Sequence, residues 1–201
     1  MLKKMNRRKF IKTSAVAGTA AIITPNTLFS SNEIKNIKLG FIGTGLRGQW
    51  MLHLSTKYPE VSIPAICDID QGMVDTTLKI IKNAERPKPR IYSNGEDDFL
   101  NMVKNEDLDA VYIATPWEWH HPMAIASMIN GIHVATEVPA ALTVQECWDL
   151  VKTSEKTKKH CMIMENVCYR RDVMAILNMV RKGMFGEILH CQGGYQHDLR
   201  H

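Results

Sequence analysis

The clearest chemical pattern in the sequence is a turn of glycines followed by an acidic residue. Gly43, Gly45 and Gly48 form a G-x-G-x-x-G motif between a short apolar run and a segment with helical spacing. These glycines permit a tight turn and let the backbone approach a pyrophosphate at the positive end of the helix. Asp68 ends the next apolar run and is suited to accept hydrogen bonds from ribose hydroxyls, which favours NAD over NADP. Arg47 could instead contact a phosphate, so the choice of cofactor stays open here.

A second group of reactive side chains follows another predicted strand, at residues 110–114. Trp117, Glu118, Trp119 and His120 lie just after this run. Loops at the carboxyl ends of parallel strands line the ligand crevice, and two tryptophans there suit the stacking of a flat ring. We therefore predict a loop that contacts the cofactor. The alternative is a hydrophobic lid with a surface histidine.

Glu137, Val138 and Pro139 occupy the equivalent place after the predicted strand at 132–136. No metal site is expected, because the His120–His121 pair has no cysteine or carboxylate cluster nearby. The five cysteines are widely spaced and form no C-x-x-C pair, so we predict mostly buried thiols rather than a disulfide or metal site.

Alternating strand-like and helix-like segments must position these groups. Repeated β-α-β units predict an α/β fold with a Rossmann-type doubly wound parallel sheet, which makes residues 36–165 an NAD-binding domain. The predicted strands are 37–42, 61–67, 110–114, 132–136 and 161–164. The predicted helices are 46–57, 71–84, 96–104 and 122–130, and a further helix starts at a Thr143–Glu146 capping box. The predicted inner face of that last helix is Val144, Cys147, Trp148 and Val151.

Residues 166–201 predict the start of an α+β second domain that is incomplete in this chain. An amphipathic helix places Val173, Ile176, Leu177 and Val180 on one face, and residues 187–192 predict one strand of a new sheet.

The amino terminus has a different character. All six charged residues among positions 1–12 are basic, although the whole chain carries only +4. The remainder therefore has no basic excess, and nucleic acid is not an expected partner. Arg7 and Arg8 before a short apolar stretch predict a twin-arginine signal peptide over residues 1–31, and hence export to the periplasm or exterior. The stretch is too short for a stable membrane anchor, which needs about 20 residues. The alternative is a basic cytoplasmic tail.

Taken in order, several motifs resemble the Gfo/Idh/MocA oxidoreductase superfamily. They are the glycine motif, Cys-Asp-Ile-Asp at 67–70, Thr-Pro-x-x-x-His at 115–120, Gly-x-His-Val at 131–134 and Glu-x-Pro at 137–139. Typical members carry a lysine between that glutamate and proline, where it helps to move a proton. This sequence has Val138, which argues against an ordinary sugar dehydrogenase.

The segments 117–120, 137–141, 165–169 and 193–198 are similar to glycoside hydrolase family 109, and the resemblance runs from about Lys38 to Arg200. Members of that family are α-N-acetylgalactosaminidases that keep NAD bound through the catalytic cycle. By matching position, the resemblance implies that the sugar is contacted by Tyr195. It also implies that the cofactor is contacted by Leu46, Arg47, Asp68, Trp117, Glu118, Trp119, His120, Glu137, Val138 and Asn166. Without the resemblance, the alternative for Tyr195 is a half-exposed strand tyrosine.

The resemblance also implies a reaction on an α-N-acetylgalactosaminide. The sugar is oxidised transiently at C3, the C1 leaving group is eliminated across C1–C2, water adds and C3 is reduced again. The family's acid-base histidine lies in a Tyr-Pro-Thr-His segment that the sequence lacks, so the catalytic residues are expected beyond His201 and the 201 residues alone are expected to be inactive. Two alternatives remain: a sugar oxidoreductase that releases NADH, and a non-catalytic NAD-binding module. The oligomeric state stays open, a homo-oligomer included.

Overall fold

The computed structural model describes residues 36–194, so the predicted signal peptide and Tyr195 lie outside the described residues. Seven strands in this part of the chain form one sheet in which every pairing is parallel. They are β1 (Ile37–Ile42), β2 (Val61–Ser62), β3 (Ala65–Cys67), β4 (Arg90–Tyr92), β5 (Ala110–Ile113), β6 (His133–Thr136) and β7 (Cys161–Ile163). The order is β4-β3-β1-β5-β6-β7, with β2 paired to β1. The predicted doubly wound parallel sheet is confirmed, and its order reverses at β1.

Helices connect the strands. They are α1 (Leu46–Ser55), α2 (Gln71–Asn83), α3 (Asp98–Asn105), α4 (Trp117–Ile129), α5 (Val144–Thr157) and α6 (Arg171–Arg181), with a short 3-10 helix at Asn166–Tyr169 before α6. The predicted capping box is present, since the Thr143 hydroxyl accepts from the Glu146 amide and the Glu146 carboxylate accepts from the Thr143 amide. No helix within residues 36–194 is both long enough and apolar enough to cross a membrane.

The sheet is buried on both faces. Phe41 packs in one apolar cluster with Leu52, and its neighbour Ile42 packs in another with Met128. Successive strand residues point to opposite faces, so this division places a separate core on each side of the sheet. The carboxyl ends of β1, β3 and β5 are thereby held rigidly at one edge.

The observed sheet differs from the predicted one at two of its strands. The strand predicted over 61–67 is divided at Pro64 into β2 and β3, and both pieces pair with β1. Proline has no amide hydrogen to donate to a ladder, so the strand is interrupted there. β4 was not predicted, because it is only three residues long and follows a proline-rich loop.

The predicted inner face of α5 was wrong. Val144 is 76% exposed and Trp148 57% exposed, whereas Leu150 is buried. Apolar periodicity locates a stripe on a helix, but the packing against neighbours decides which side is covered. The cysteine prediction failed similarly, because Cys147, Cys168 and Cys191 are exposed and only Cys67 is buried.

The strand predicted at 187–192 is also absent from the described structure, where this segment has no regular secondary structure. A strand needs a partner for its backbone hydrogen bonds, and residues 36–194 supply none here. On α6 the predicted face exists as an apolar stripe, but Ile176 is 54% exposed and nothing described covers it.

Candidate functional site

Two of the three motif glycines are required by close backbone contacts. Gly43 has φ of +85°, and a Cβ there would lie 2.5 Å from the carbonyl oxygen of Ala114. A Cβ on Gly48 would lie 2.1 Å from the carbonyl oxygen of Gly43. A side chain at Gly43 would therefore disrupt the packing of the β1–α1 turn against the residue after β5, and a side chain at Gly48 would disrupt the turn itself.

Gly45 differs because the space around it is open. A Cβ there would meet no atom within 4 Å. Gly45 is the N-cap residue of α1, with no side-chain cap and no acidic residue in the first turn. The amides at this helix end are therefore free to bind an anion, as a pyrophosphate site requires.

Asp68 lies directly after β3 and contacts the glycine turn. Its Oδ2 accepts from the Thr44 amide at 2.5 Å and from the Thr44 hydroxyl at 3.1 Å, and its Oδ1 accepts from the Asp70 amide at 2.9 Å. A carboxylate has about four acceptor positions, so one position, on Oδ1, is left to accept from a ribose hydroxyl. The carboxylate is held in one orientation at the edge of the crevice.

A cavity of about 280 Å³ opens beside this carboxylate. Ile69, Met73, Pro116 and Trp119 are among the residues that line it. Its walls come from the segments after β1, β3, β4 and β5, at the point where the strand order reverses. Ligands of open α/β sheets bind at this point. The mostly apolar walls suit a flat aromatic base.

The segment predicted as a loop, Trp117–His120, is instead the first turn of α4. The helix was predicted to start near Pro122, because proline favours the first helical position. In the structure Pro122 lies inside α4. Trp119 lines the cavity and packs edge-on against Phe99, with 6.1 Å between the ring centroids. Trp117 is 61% exposed and Glu118 is also exposed, so their side chains lie on the surface.

His120 is buried, with 1% of its surface exposed. Its Nδ1 lies 2.6 Å from the carbonyl oxygen of Pro139, and its Nε2 lies 2.8 Å from that of Thr115. The imidazole therefore links the segment after β5 to the segment after β6. In the described structure its ring contacts protein carbonyls, which makes it a positioning group for both segments.

Glu137 follows β6 and accepts two hydrogen bonds on one oxygen. Arg47 Nε lies 2.6 Å from Oε1, and the Tyr112 hydroxyl donates to the same atom. Burial, together with the hydrogen bond to Glu137, raises the pKa of Tyr112 above its usual range. Arg47 also lies 4.9 Å from the ring centroid of Trp50. The guanidinium predicted as an alternative phosphate ligand is thus paired with a carboxylate.

The remaining predicted contact residues lie at the surface around the same edge. Val138 is 43% exposed and Leu46 86% exposed, and Asn166 is exposed at the start of the 3-10 helix. Among residues 36–194 no group of three or more histidine, cysteine or acidic side chains could hold a metal ion.

Sequence reasoning missed several residues of the site. Tyr112 was assigned only to a buried strand, and Met73 and Glu96 were assigned only to helices. The site role of Tyr112 could have been suspected from the sequence. A tyrosine near the end of an apolar strand needs a hydrogen-bond partner for its hydroxyl group. Met73 and Glu96 lie at the cavity because of the order of the strands in the sheet, and no local sequence pattern predicts this order.

The described residues fit an NAD cofactor. Gly45 leaves open space that a Cβ would fill, the first turn of α1 is uncapped, and a fixed acid stands beside a cavity whose walls suit a flat base. The amides would hold the pyrophosphate, and Asp68 would hold the adenosine ribose.

Comparisons with known proteins agree with this geometry. Residues 37–165 match the family model described as "Oxidoreductase family, NAD-binding Rossmann fold", GFO_IDH_MocA. Residues 169–201 match the model described as "Glycosyl hydrolase 109, C-terminal domain".

Two curated relatives are about equally similar to the chain. A glycosyl hydrolase family 109 protein of Parabacteroides distasonis is 47% identical over 96% of this chain and 45% of its own length. An α-N-acetylgalactosaminidase of Tannerella forsythia is 46% identical over 96% of this chain and 46% of its own length. The chain therefore spans about half the length of these relatives.

Solved structures share the fold at lower identity. A dehydrogenase from Chromobacterium violaceum, solved in complex with NADH and UDP-GlcNAcA, superposes with a TM-score of 0.64 at 22% identity, over 76% of this chain and 41% of that chain. This likeness concerns the fold alone. The match over residues 37–165 shows that the chain belongs to the Gfo/Idh/MocA oxidoreductase family, with an NAD-binding Rossmann fold, and over most of its length it is similar to glycosyl hydrolase family 109 proteins.

Proposed function

We propose that the protein is an NAD-dependent glycosidase that releases terminal α-N-acetylgalactosamine, with transient oxidation of the sugar at C3. The observation that carries the proposal is Val138, a half-exposed valine beside an NAD site, in the place where dehydrogenases of the family carry lysine. Relatives of the same family support the substrate, since one of them is named an α-N-acetylgalactosaminidase.

NAD supplies a hydride acceptor for a carbon that bears a hydroxyl group. The chain's own residues would bind and orient it: the amides of the uncapped first turn of α1 would hold the pyrophosphate, and Asp68 would hold the ribose. His120 fixes the segments after β5 and β6 relative to each other through its contacts to Thr115 and Pro139. These contacts keep the reactive end of the crevice in one geometry, which is what orientation of a substrate requires.

The groups around Val138 are poorly suited to proton transfer. Glu137 already accepts hydrogen bonds from Arg47 and Tyr112, and valine has no proton to exchange. We infer that acid-base groups reach the sugar from the second domain, the part of the chain to which the family resemblance also assigns the sugar contact of Tyr195. A protein in which the hydride returns to the same sugar consumes no NAD, which suits a site that holds the cofactor tightly.

The test uses the protein extended to the length of its relatives and an aryl α-N-acetylgalactosaminide. We expect release of the aryl alcohol without net NADH, and exchange of the sugar C2 hydrogen for solvent deuterium. The aryl β-N-acetylglucosaminide is the control and should remain intact. Steady accumulation of NADH would instead support a sugar oxidoreductase. Hydrolysis with the C2 hydrogen retained would exclude the elimination route.

The 201-residue chain provides a second test of where the chemistry lies. Hydride transfer needs the sugar carbon within about 3–3.5 Å of the nicotinamide, and one wall of a site cannot enforce this distance. We expect the chain alone to bind NAD without hydrolysing the glycoside. Turnover by the purified 201 residues would show that all essential groups lie within them.

We also propose export through the twin-arginine route, supported by the Arg7–Arg8 pair before a short apolar stretch. This route carries folded proteins, so a cofactor bound before export would be retained. A fusion of residues 1–36 to a reporter should be exported, and replacement of both arginines by lysine should abolish export. Export of the lysine variant at the parent level would contradict the proposal.

A further inference from the structure

The loop between β4 and α3 brings an acidic side chain to the nucleotide cavity. Glu96 lines the same cavity as Asp68, Ile69 and Met73. Nothing in the family motifs marks this position, because the loop reaches the cavity only through the pairing of β4 with β3.

This loop is held in place by a buried carboxylate. Asp98 is 5% exposed. Its Oδ2 accepts from the Asn94 amide at 2.9 Å and the Asn94 side chain at 3.0 Å, and its Oδ1 accepts from Asn101 at 2.8 Å. The Asp98 amide in turn donates to the carbonyl oxygen of Gly95 at 3.2 Å. Residues on both sides of Glu96 are therefore fixed.

The two cavity carboxylates differ in what they already bind. Asp68 accepts hydrogen bonds from Thr44 and Asp70. The side-chain hydrogen bonds within this loop go to Asp98, and none of the residues that the structure describes donates to Glu96 or forms an ion pair with it. Its acceptor capacity is available to a ligand in the cavity.

We propose that Glu96 selects a 6-aminopurine base by accepting a hydrogen bond from its exocyclic amino group. This inference rests on the proposed binding of NAD with its adenosine ribose at Asp68. The base is joined to that ribose and must lie in the same cavity, between the apolar walls that include Ile69 and Trp119. An ionised carboxylate accepts hydrogen bonds and cannot donate them. It therefore favours adenine, whose 6-amino group donates, over hypoxanthine, whose 6-oxo group only accepts.

Calorimetric titration of NAD and nicotinamide hypoxanthine dinucleotide tests the proposal without any catalytic readout. The parent chain should bind NAD about tenfold more tightly, the size expected for a hydrogen bond to a partly exposed charged group. Glu96→Gln should bring the two dissociation constants close together, because an amide can both donate and accept. Glu96→Ala should lose the preference as well, through loss of the acceptor.

Asp97→Asn is the matched control, since Asp97 is an adjacent exposed acid that does not line the cavity and makes no side-chain cap on α3. The Asp97→Asn variant should keep the parent's ratio of the two dissociation constants. If both Glu96 variants bind NAD and nicotinamide hypoxanthine dinucleotide with the same ratio of dissociation constants as the parent, the inference is wrong, although NAD binding itself is intact. A gain in NADP binding with an unchanged base preference would also overturn the inference, because Glu96 would then act on the 2′-phosphate. Absence of NAD binding by the parent would overturn the inference together with the proposed cofactor.

Discussion

Arg47 and Glu137 form an ion pair, with 2.6 Å between Nε and Oε1, that joins the first turn of α1 to the residue after β6. The family resemblance implied a cofactor contact for each residue separately. Their ion pair links the first turn of α1 to the segment after β6 across the edge of the sheet. It also neutralises the cation nearest the glycine turn, which leaves Asp68 to set the choice between NAD and NADP.

Tyr112 should stabilise this link through its hydrogen bond to Glu137, whose side chain is only 15% exposed. Tyr112→Phe removes one donor from a mostly buried carboxylate and should lower the free energy of unfolding by about 1–2 kcal/mol. Chemical denaturation measures this change. Tyr58→Phe is the control, because Tyr58 is 57% exposed and its hydroxyl has no partner in the described structure. Equal stabilities for both variants would show that the Tyr112 bond contributes nothing.

Asp68→Asn should weaken NAD binding and reduce the discrimination against NADP. Asparagine keeps an acceptor for the Thr44 amide, so the turn is preserved better than in an alanine variant. The loss of the negative charge removes a charge-assisted hydrogen bond to ribose and the repulsion of a 2′-phosphate. The ratio of the NADP to NAD dissociation constants should fall at least about tenfold. An unchanged ratio would mean that another group recognises the ribose.

Asp98 should make the stability of the domain pH dependent. Hydrogen bonds from Asn101 and then from Asn94 hold the pKa of Asp98 below its usual range. A lowered pKa in the folded state means that the unfolded chain binds the proton more readily, so the stabilisation is present above the ordinary carboxyl pKa and is lost as the pH falls through the folded value. Asp98→Asn should cost about 1–3 kcal/mol at pH 7. The difference from the parent should shrink below about pH 4. A difference that stays constant from pH 7 to pH 3 would assign the effect to packing.

The glycine turn and Asp68 could be predicted from the sequence because their requirements are local. Gly43 needs a positive φ, Gly48 needs a missing side chain, and both appear at fixed spacing before a strand that ends in an acid. The parallel sheet follows from the same alternation of apolar runs and helical segments. Each of these signals lies within a few residues of the feature that it predicts.

The remaining features depend on long-range packing. The site roles of Tyr112 and Glu96 arise from strand order, which brings distant segments to one edge. The exposed stripe on α5, with Val144 and Trp148, shows that a periodic face can be left uncovered by the described residues. The start of α4 before Pro122 shows that a helix can begin one turn earlier than a local preference suggests.

Gly45→Ala tests the cofactor site most directly, because the free protein has room for the added methyl group. Gly45 has φ of −66° and extended ψ, which alanine adopts readily, and a Cβ there meets no atom within 4 Å. The free energy of unfolding should therefore change by less than about 1 kcal/mol. The methyl group would occupy the space through which the backbone approaches the pyrophosphate. Gly193→Ala adds the same group in open space outside the cavity and serves as the control.

The deciding measurement is the NAD dissociation constant of the parent and these two variants, taken with their unfolding curves. We expect Gly45→Ala to raise the dissociation constant at least about tenfold, since displaced charge-assisted contacts to a phosphate are of this size. Gly193→Ala should match the parent. A folded Gly45→Ala variant that binds NAD as tightly as the parent would contradict the placement of the pyrophosphate at this turn, and with it the account of the site.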